Sequence, residues 1–260
     1  EKVYLASDKL YQIARSRGQT PDEKIVMSGL PIRHDFSVQA KRLGARTSAQ
    51  GVSYQASIRN VLGIDPNKHM ILLMGGGEGV GSLSTITNEI YVALMRNGVD
   101  ANIYVVCGRN EKLKGELENR DWEALFLKDI RLAGNHMQRS QKDQTVPAPQ
   151  IVGNAKVIAL GFVARMAEYM VAADVLVSKA GPGTIAEAAA LGLPVLLTSF
   201  LPGQEAGNVD FVEEHCFGEY IQDPVEMGSV LSEWLTSPEQ LQKRSIKARQ
   251  AGRPHAAADI

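Results

Sequence analysis

The chain has 260 residues, 44% of them apolar and 22% charged, the proportions of an ordinary globular protein, which exclude a disordered or collagen-like chain. Lys and Arg number 28 against 29 Asp and Glu, so the overall basic footprint of a dedicated nucleic-acid binder is missing. Two cysteines, Cys107 and Cys216, are too few for a disulfide framework, and no apolar run reaches the roughly 18 to 20 residues that span a bilayer.

The chain opens at Glu1 rather than Met and enters an apolar run at once, so it is expected to be a piece of a longer protein; its first residues resemble no signal or transit peptide. Val3 to Leu5 reads as a short strand. Ser7-Asp8 followed by Leu10, Ile13 and Ala14 at helical spacing predicts a capped helix, closed by Gly18. Ile25-Val26-Met27 predicts a second brief strand, stopped by Gly29-Leu30-Pro31, with Arg33 just beyond the turn. Residues 37–60 are polar, with Gly44, Ser48 and Gly51 scattered among them, and read as a linker or mobile loop leading to a helix around Tyr54 to Leu62. The expected organisation is therefore an N-terminal remnant at 1–36, a linker and connecting helix at 37–66, and one larger domain at 67–260.

From His69 onward, apolar runs alternate with amphipathic stretches: Met70 to Met74, Ile103 to Val106, Val157 to Leu160, Val175 to Val177 and Val195 to Leu197. None shows period-two alternation, which marks strands covered on both faces, as in a parallel sheet with right-handed helical crossovers. The predicted fold is α/β, a doubly wound Rossmann-like parallel sheet. Residues 121–155, with Asn135, Gln138, Gln141, Lys142, Pro147 and Pro149, break the rhythm and read as a flexible insertion. Two helices, about 225–236 and 238–250, close the chain, the second started by Ser237-Pro238.

The most informative stretch is Ser178-Lys179-Ala180-Gly181-Pro182-Gly183-Thr184-Ile185-Ala186-Glu187, running from a buried strand through a glycine turn into an alanine-rich helix. Amides at a helix start lack internal acceptors and the helix dipole is positive there, which suits a diphosphate. Gly183 permits close backbone approach, Thr184 offers a hydroxyl, and Glu187 is near enough to accept bonds from a ribose diol. The bland reading is a plain strand-to-helix turn. Pro202 to Asn208 follows the next strand at the same edge, where open α/β sheets bind ligands, and Gln204, Glu205 and Asn208 suit sugar hydroxyls or, equally, a solvated helix start.

Gly75-Gly76-Gly77-Glu78-Gly79-Val80-Gly81 is a second glycine loop, yet it has neither the G-x-G-x-x-G dinucleotide spacing nor a phosphate-loop Gly-Lys-Ser/Thr. Gly76 and Gly77 are candidate donor contacts or parts of a tight turn against a neighbouring domain. In Cys107-Gly108-Arg109-Asn110, Arg109 is a candidate anion partner or a surface ion-pair residue, and Asn110 suits a helix cap. His34, His69, His136, His215 and His255 have no metal-ligand spacing, Asp8, Asp35 and Asp174 belong to no motif, and no G-x-S-x-G elbow supports acyl hydrolysis.

Gly29-Leu30-Pro31-Ile32-Arg33, Met74 to Gly79, Val106 to Asn110, Lys179 to Glu187 and Pro202 to Asn208 resemble, in order, the plastid monogalactosyldiacylglycerol synthase family of glycosyltransferase family 28. The likeness runs from about Val3 to the C-terminus; bacterial lipid II-forming N-acetylglucosaminyltransferases share the glycine loop more loosely. It implies two Rossmann-like domains facing across a cleft, the GT-B arrangement, with this chain the donor-binding C-terminal half. It further implies inverting transfer of galactose from UDP-galactose to sn-1,2-diacylglycerol, at the plastid envelope, by a peripheral membrane enzyme. The family's UDP-holding residues match Arg33, Gly183, Thr184, Ile185, Ala186, Glu187 and Glu205, and Gln204 and Asn208 are added from their position.

The resemblance puts the catalytic histidine and the acceptor- and membrane-contacting loop in an N-terminal domain mostly absent here. This chain is therefore expected to hold no catalytic base and to bind donor without turnover. No Asp-x-Asp lies near a strand end, so neither a metal nor another cofactor is expected in the donor site. The alternatives are a UDP-N-acetylglucosamine- or UDP-glucose-dependent lipid glycosyltransferase of the same superfamily, or a non-catalytic nucleotide-binding domain. Residues 121–155 look longer than the plant pattern.

Overall fold

A computed structural model describes residues 1–75, 83–138 and 153–260, with 133–138 described by backbone alone. In chain order the elements are β1 (Val3–Leu5), α1 (Asp8–Ser16), β2 (Ile25–Met27), α2 (His34–Leu43), α3 (Ala49–Val61), β3 (His69–Met74), α4 (Leu83–Arg96), β4 (Ala101–Val106), α5 (Glu111–Glu118) and α6 (Trp122–Gln138). There follow β5 (Lys156–Leu160), α7 (Met166–Ala172), β6 (Val175–Ser178), α8 (Pro182–Ala190), β7 (Val195–Leu197), α9 (Ala206–Glu214), β8 (Gly218–Tyr220), α10 (Pro224–Thr236), α11 (Pro238–Ala251) and α12 (Ala256–Asp259).

β1 and β2 form a small parallel pair, Val3 opposite Ile25 and Leu5 opposite Met27. Ser7 caps α1 as its spacing predicts, its hydroxyl accepting from the Leu10 amide at 3.4 Å. The other six strands form one sheet in the order β5-β4-β3-β6-β7-β8, all parallel. Counted within the sheet this is 3-2-1-4-5-6, the doubly wound order, whose direction of growth reverses between β3 and β6.

Burial on both faces follows from the strand sequences. Met70, Leu72 and Leu176 point to one layer, filled by Phe36, Ala40 and Leu43 of α2, Ile58 of α3, Met170 of α7 and Ile185 of α8. Ile71, Leu73, Ile103 and Val177 point to the other, filled by Ile86 and Ile90 of α4, Phe126 of α6 and Leu231 and Trp234 of α10. Each buried Leu, Ile, Val, Met or Phe among them contributes roughly 1.5–3 kcal/mol by leaving water.

Two expectations are corrected. Where a linker or mobile loop is predicted, residues 34–43 form α2, whose Phe36, Gln39, Ala40 and Leu43 are buried at helical spacing. Ser37, Gln39, Lys41 and Arg42 mask that stripe in the sequence. The first part of the predicted insertion is α6, anchored by fully buried Phe126 and by Trp122, whose ring lies 5.0 Å from that of Tyr91. Of the rest of the insertion, 139–152 lie outside the described residues, and 153–155 lead into β5 with Ala155 buried. β8, a three-residue edge strand carrying Glu219, escapes the sequence reading altogether.

Asp174, unassigned to any motif by sequence, proves to be a half-buried hub at the amino edge of the sheet. Its Oδ2 pairs with Arg59 Nη2 at 2.7 Å and accepts from the Met70 amide at 2.8 Å, while Gln55 reaches Oδ1 at 3.3 Å. Burial pushes this carboxyl up, but neighbouring His69, the Arg59 guanidinium and the Met70 amide outweigh it and bring it down to about 2. Beside it, buried Arg46 donates to the carbonyls of Met170, Val171 and Ala173 at 2.9, 2.9 and 2.7 Å, satisfying the end of α7. Burial lowers the Arg46 guanidinium to about 10, still charged at neutral pH.

Candidate functional site

The carboxyl edge of the sheet carries the ends of β3, β4, β5, β6 and β7, and the strand order reverses between β3 and β6, the place where sheets of this order bind ligands. After β6 the chain bends at Lys179–Gly181, with Gly181 capping α8 and Pro182 in its first turn. The Gly181 amide donates back to Lys179 at 2.8 Å, and the first helical bond is Ile185 N–H to the Gly181 carbonyl at 3.0 Å. Pro182 has no N–H, and the amides of Gly183 and Thr184 find no acceptor among the described residues. A Cβ placed on Gly183 would meet nothing within 4 Å, so an anion can reach these amides directly.

The predicted site residues arrive here in different roles. Thr184 and Ala186 are half-buried and Ile185 is buried. Glu187, also buried, is gripped by Arg33, Nε to Oε1 at 2.7 Å and Nη2 to Oε2 at 2.9 Å. Glu205 is buried just ahead of α9, its Oε1 on Lys179 Nζ at 2.7 Å and its Oε2 accepting from the Leu201 amide at 2.8 Å. Burial pushes the Glu205 carboxyl up, and Lys179 with the Leu201 amide overcomes it, leaving the group below the usual carboxylate range. Asn208 Nδ2 donates to the Ala180 carbonyl at 2.8 Å and so braces the bend itself. Gln204 is exposed and makes no side-chain hydrogen bond among the described residues.

Arg109 stands exposed after β4, beyond Gly108 at φ 59°, and Asn110 caps α5 as its type predicts, accepting from the Leu113 amide at 3.0 Å. Gly76 and Gly77 lie outside the described residues. Two neighbours were missed by sequence reasoning. Lys179 is one, visible only as the end of a strand until Glu205 is brought beside it. Phe162 is the other, 75% exposed shortly after β5 at the same carboxyl edge of the sheet.

Along the flank of α8, Pro182, Ile185 and Ala186 form a groove of about 230 Å³ with Leu10, Leu30 and Phe211. Among the described residues, no three His, Cys, Asp or Glu side chains converge as a metal cage, and no helix is long and apolar enough to cross a membrane.

Residues 70–260 match the family model of the glycosyltransferase family 28 C-terminal domain. Over the whole chain, the chloroplastic monogalactosyldiacylglycerol synthase of Spinacia oleracea is 33% identical, the match covering 42% of that relative. The chloroplastic monogalactosyldiacylglycerol synthase 1 of Arabidopsis thaliana is 30% identical, again over the whole chain and 41% of its own length. The chain thus spans less than half the length of these relatives. Among solved structures, WaaG, a glycosyltransferase involved in lipopolysaccharide biosynthesis, superposes with a TM-score of 0.55 at 19% identity, covering 100% of this chain and 62% of that one. MurG of Acinetobacter baumannii gives 0.53 at 19%, covering 98% and 62%. At such identities these two report the fold alone, and it agrees with the doubly wound Rossmann-like sheet that the strand pattern predicts.

Proposed function

The chain belongs to the glycosyltransferase family 28 C-terminal domain family, and from that premise we propose that it is the donor-binding half of an inverting galactosyltransferase. In this reading galactose passes from UDP-galactose to the free hydroxyl of sn-1,2-diacylglycerol, giving a β-linked galactolipid. The observation that carries it is the mouth of α8, where the Gly183 and Thr184 amides are unpaired among the described residues, with open space beside Gly183, next to the reversal of strand order between β3 and β6. As the sugar–phosphate bond breaks, UDP gains negative charge, and fixed amide dipoles stabilise that charge without reorganising. Arg109 adds positive potential, the Arg33–Glu187 pair borders the ribose and Gln204 serves the sugar. Ile185 and Ala186 supply backbone, and Glu205 and Asn208 hold the surrounding loop. No metal is needed in this scheme.

The base that takes the acceptor proton belongs to a preceding domain, which also makes the peripheral contact with a plastid envelope membrane. The names of the relatives, all chloroplastic, support that location and that lipid product. Calorimetric titration of the chain with UDP-galactose, UDP-glucose and UDP-N-acetylglucosamine tests the reading. UDP-galactose is expected to bind most tightly. Preference for UDP-N-acetylglucosamine would reassign the sugar, and binding of none of the three would overturn the donor site.

A further inference from the structure

Lys179 occupies the bend that leads into α8 with one of its three N–H donors engaged. Its ammonium lies 2.7 Å from Glu205 Oε1 and has no other hydrogen-bond partner among the described residues. A Cβ built on Gly181 would sit 3.7 Å from Lys179 Cε, 3.9 Å from Nζ and 4.0 Å from Thr184 Oγ1, so the ammonium and the threonine hydroxyl flank one small opening. The two partners differ in access. Lys179 keeps 36% of its side chain exposed against 8% for Glu205, whose second oxygen is tied to the Leu201 amide.

We infer that Lys179 contacts the donor's diphosphate and that Glu205 is a positioning residue acting through it, not a reader of sugar hydroxyls. The inference rests on the donor reading above and sharpens it. A flexible four-carbon side chain loses much freedom when it meets a phosphate, and a buried carboxylate that already fixes its ammonium removes most of that cost beforehand. Two N–H donors remain for phosphate oxygens, beside amides whose dipoles attract the same charge. Glu205 remains ionised because Lys179 and the Leu201 amide hold its carboxyl low, so the tether persists at neutral pH.

The test is calorimetric titration of the whole chain with UDP, UDP-galactose and uridine, using Lys179→Met, Glu205→Gln and the double variant, which leaves no buried charge unpaired. Loss of a charge-assisted contact is expected to weaken UDP and UDP-galactose alike, by about tenfold or more, while uridine changes less than about twofold. Glu205→Gln is expected to lower UDP affinity in the wild-type background and to add nothing once Lys179→Met is present. Lys179→Arg is expected to restore most of the loss. UDP affinity untouched by Lys179→Met overturns the inference, as does a Glu205→Gln loss confined to UDP-galactose. Uridine falling in step with UDP also overturns it, since that outcome reports damage to the fold. A wild-type chain that binds UDP while these variants behave as wild type leaves the donor reading standing without this inference; a wild type that binds no UDP overturns both.

Discussion

Arg33 and Glu187, 154 positions apart, form a two-pronged ion pair that fastens the segment before α2 to the second turn of α8. The Phe36 ring supports the guanidinium from 4.6 Å. Exposure is unequal, 63% for the arginine side chain and 8% for the glutamate, so breaking the pair is costly chiefly through the buried carboxylate. Arg33→Lys keeps the charge but loses the parallel geometry and is expected to lower stability by about 1 kcal/mol. Arg33→Met, which leaves Glu187 without a partner, is expected to lower it by about 2 kcal/mol. Urea unfolding measures both, and two variants as stable as the parent chain would remove the pair from the account of this fold.

Asp174 makes stability depend on acid. Its folded carboxyl titrates at about 2 against an ordinary 3.8, so it is depressed by folding. Its stabilisation is therefore complete above the ordinary value and disappears as pH falls through the folded one, with a size of about 2 kcal/mol. Asp174→Asn is expected to be less stable than the parent at about pH 5 and to converge on it towards about pH 2. A gap that stays constant over this range would contradict the assignment.

Arg46 satisfies three carbonyls at the end of α7 from a position out of reach of water. Arg46→Met would fill similar space and strand those acceptors, at an expected cost of about 3 kcal/mol. The readout is the urea midpoint, and a loss within about 0.5 kcal/mol would show that water replaces the guanidinium.

Phe162 is expected to serve binding and not folding. With 75% of its surface exposed, Phe162→Ala should change stability by less than about 0.5 kcal/mol. If a nucleobase stacks on the ring, UDP affinity falls by about tenfold while pyrophosphate binding is unchanged. Unaltered UDP affinity would free this ring from the donor site.

Chelation addresses the charge balance at α8. Amide dipoles and Lys179 supply the positive field there, so UDP-galactose is expected to bind equally well with and without EDTA in calorimetry. Loss of binding on chelation, restored by Mg²⁺ or Mn²⁺, would make a cation the counter-charge instead.

The sheet was legible because β3 to β7 are apolar on both faces, and the mouth of α8 because glycine, proline and alanine state its geometry locally. α2 was hidden since its stripe of Phe36, Ala40 and Leu43 is interleaved with polar side chains, and β8 since three edge residues around Glu219 carry no period. The ion pairs were out of reach for a different reason. Arg59 meets Asp174 across 115 positions and Lys179 meets Glu205 across 26, distances at which only the tertiary fold selects the partner. Thus Glu205 could be read as a sugar ligand from its loop, while the structure gives both its oxygens protein partners.

Arg33, Arg46 and Arg59 all precede residue 70, where the family match begins, yet Glu187, Asp174 and the last carbonyls of α7 depend on them. A shortened polypeptide starting at that border would expose Phe36's cavity and leave two internal carboxylates uncompensated, so it should express poorly. The inherited module and the self-sufficient folding unit have different edges, and truncation experiments on this protein should be cut before Arg33.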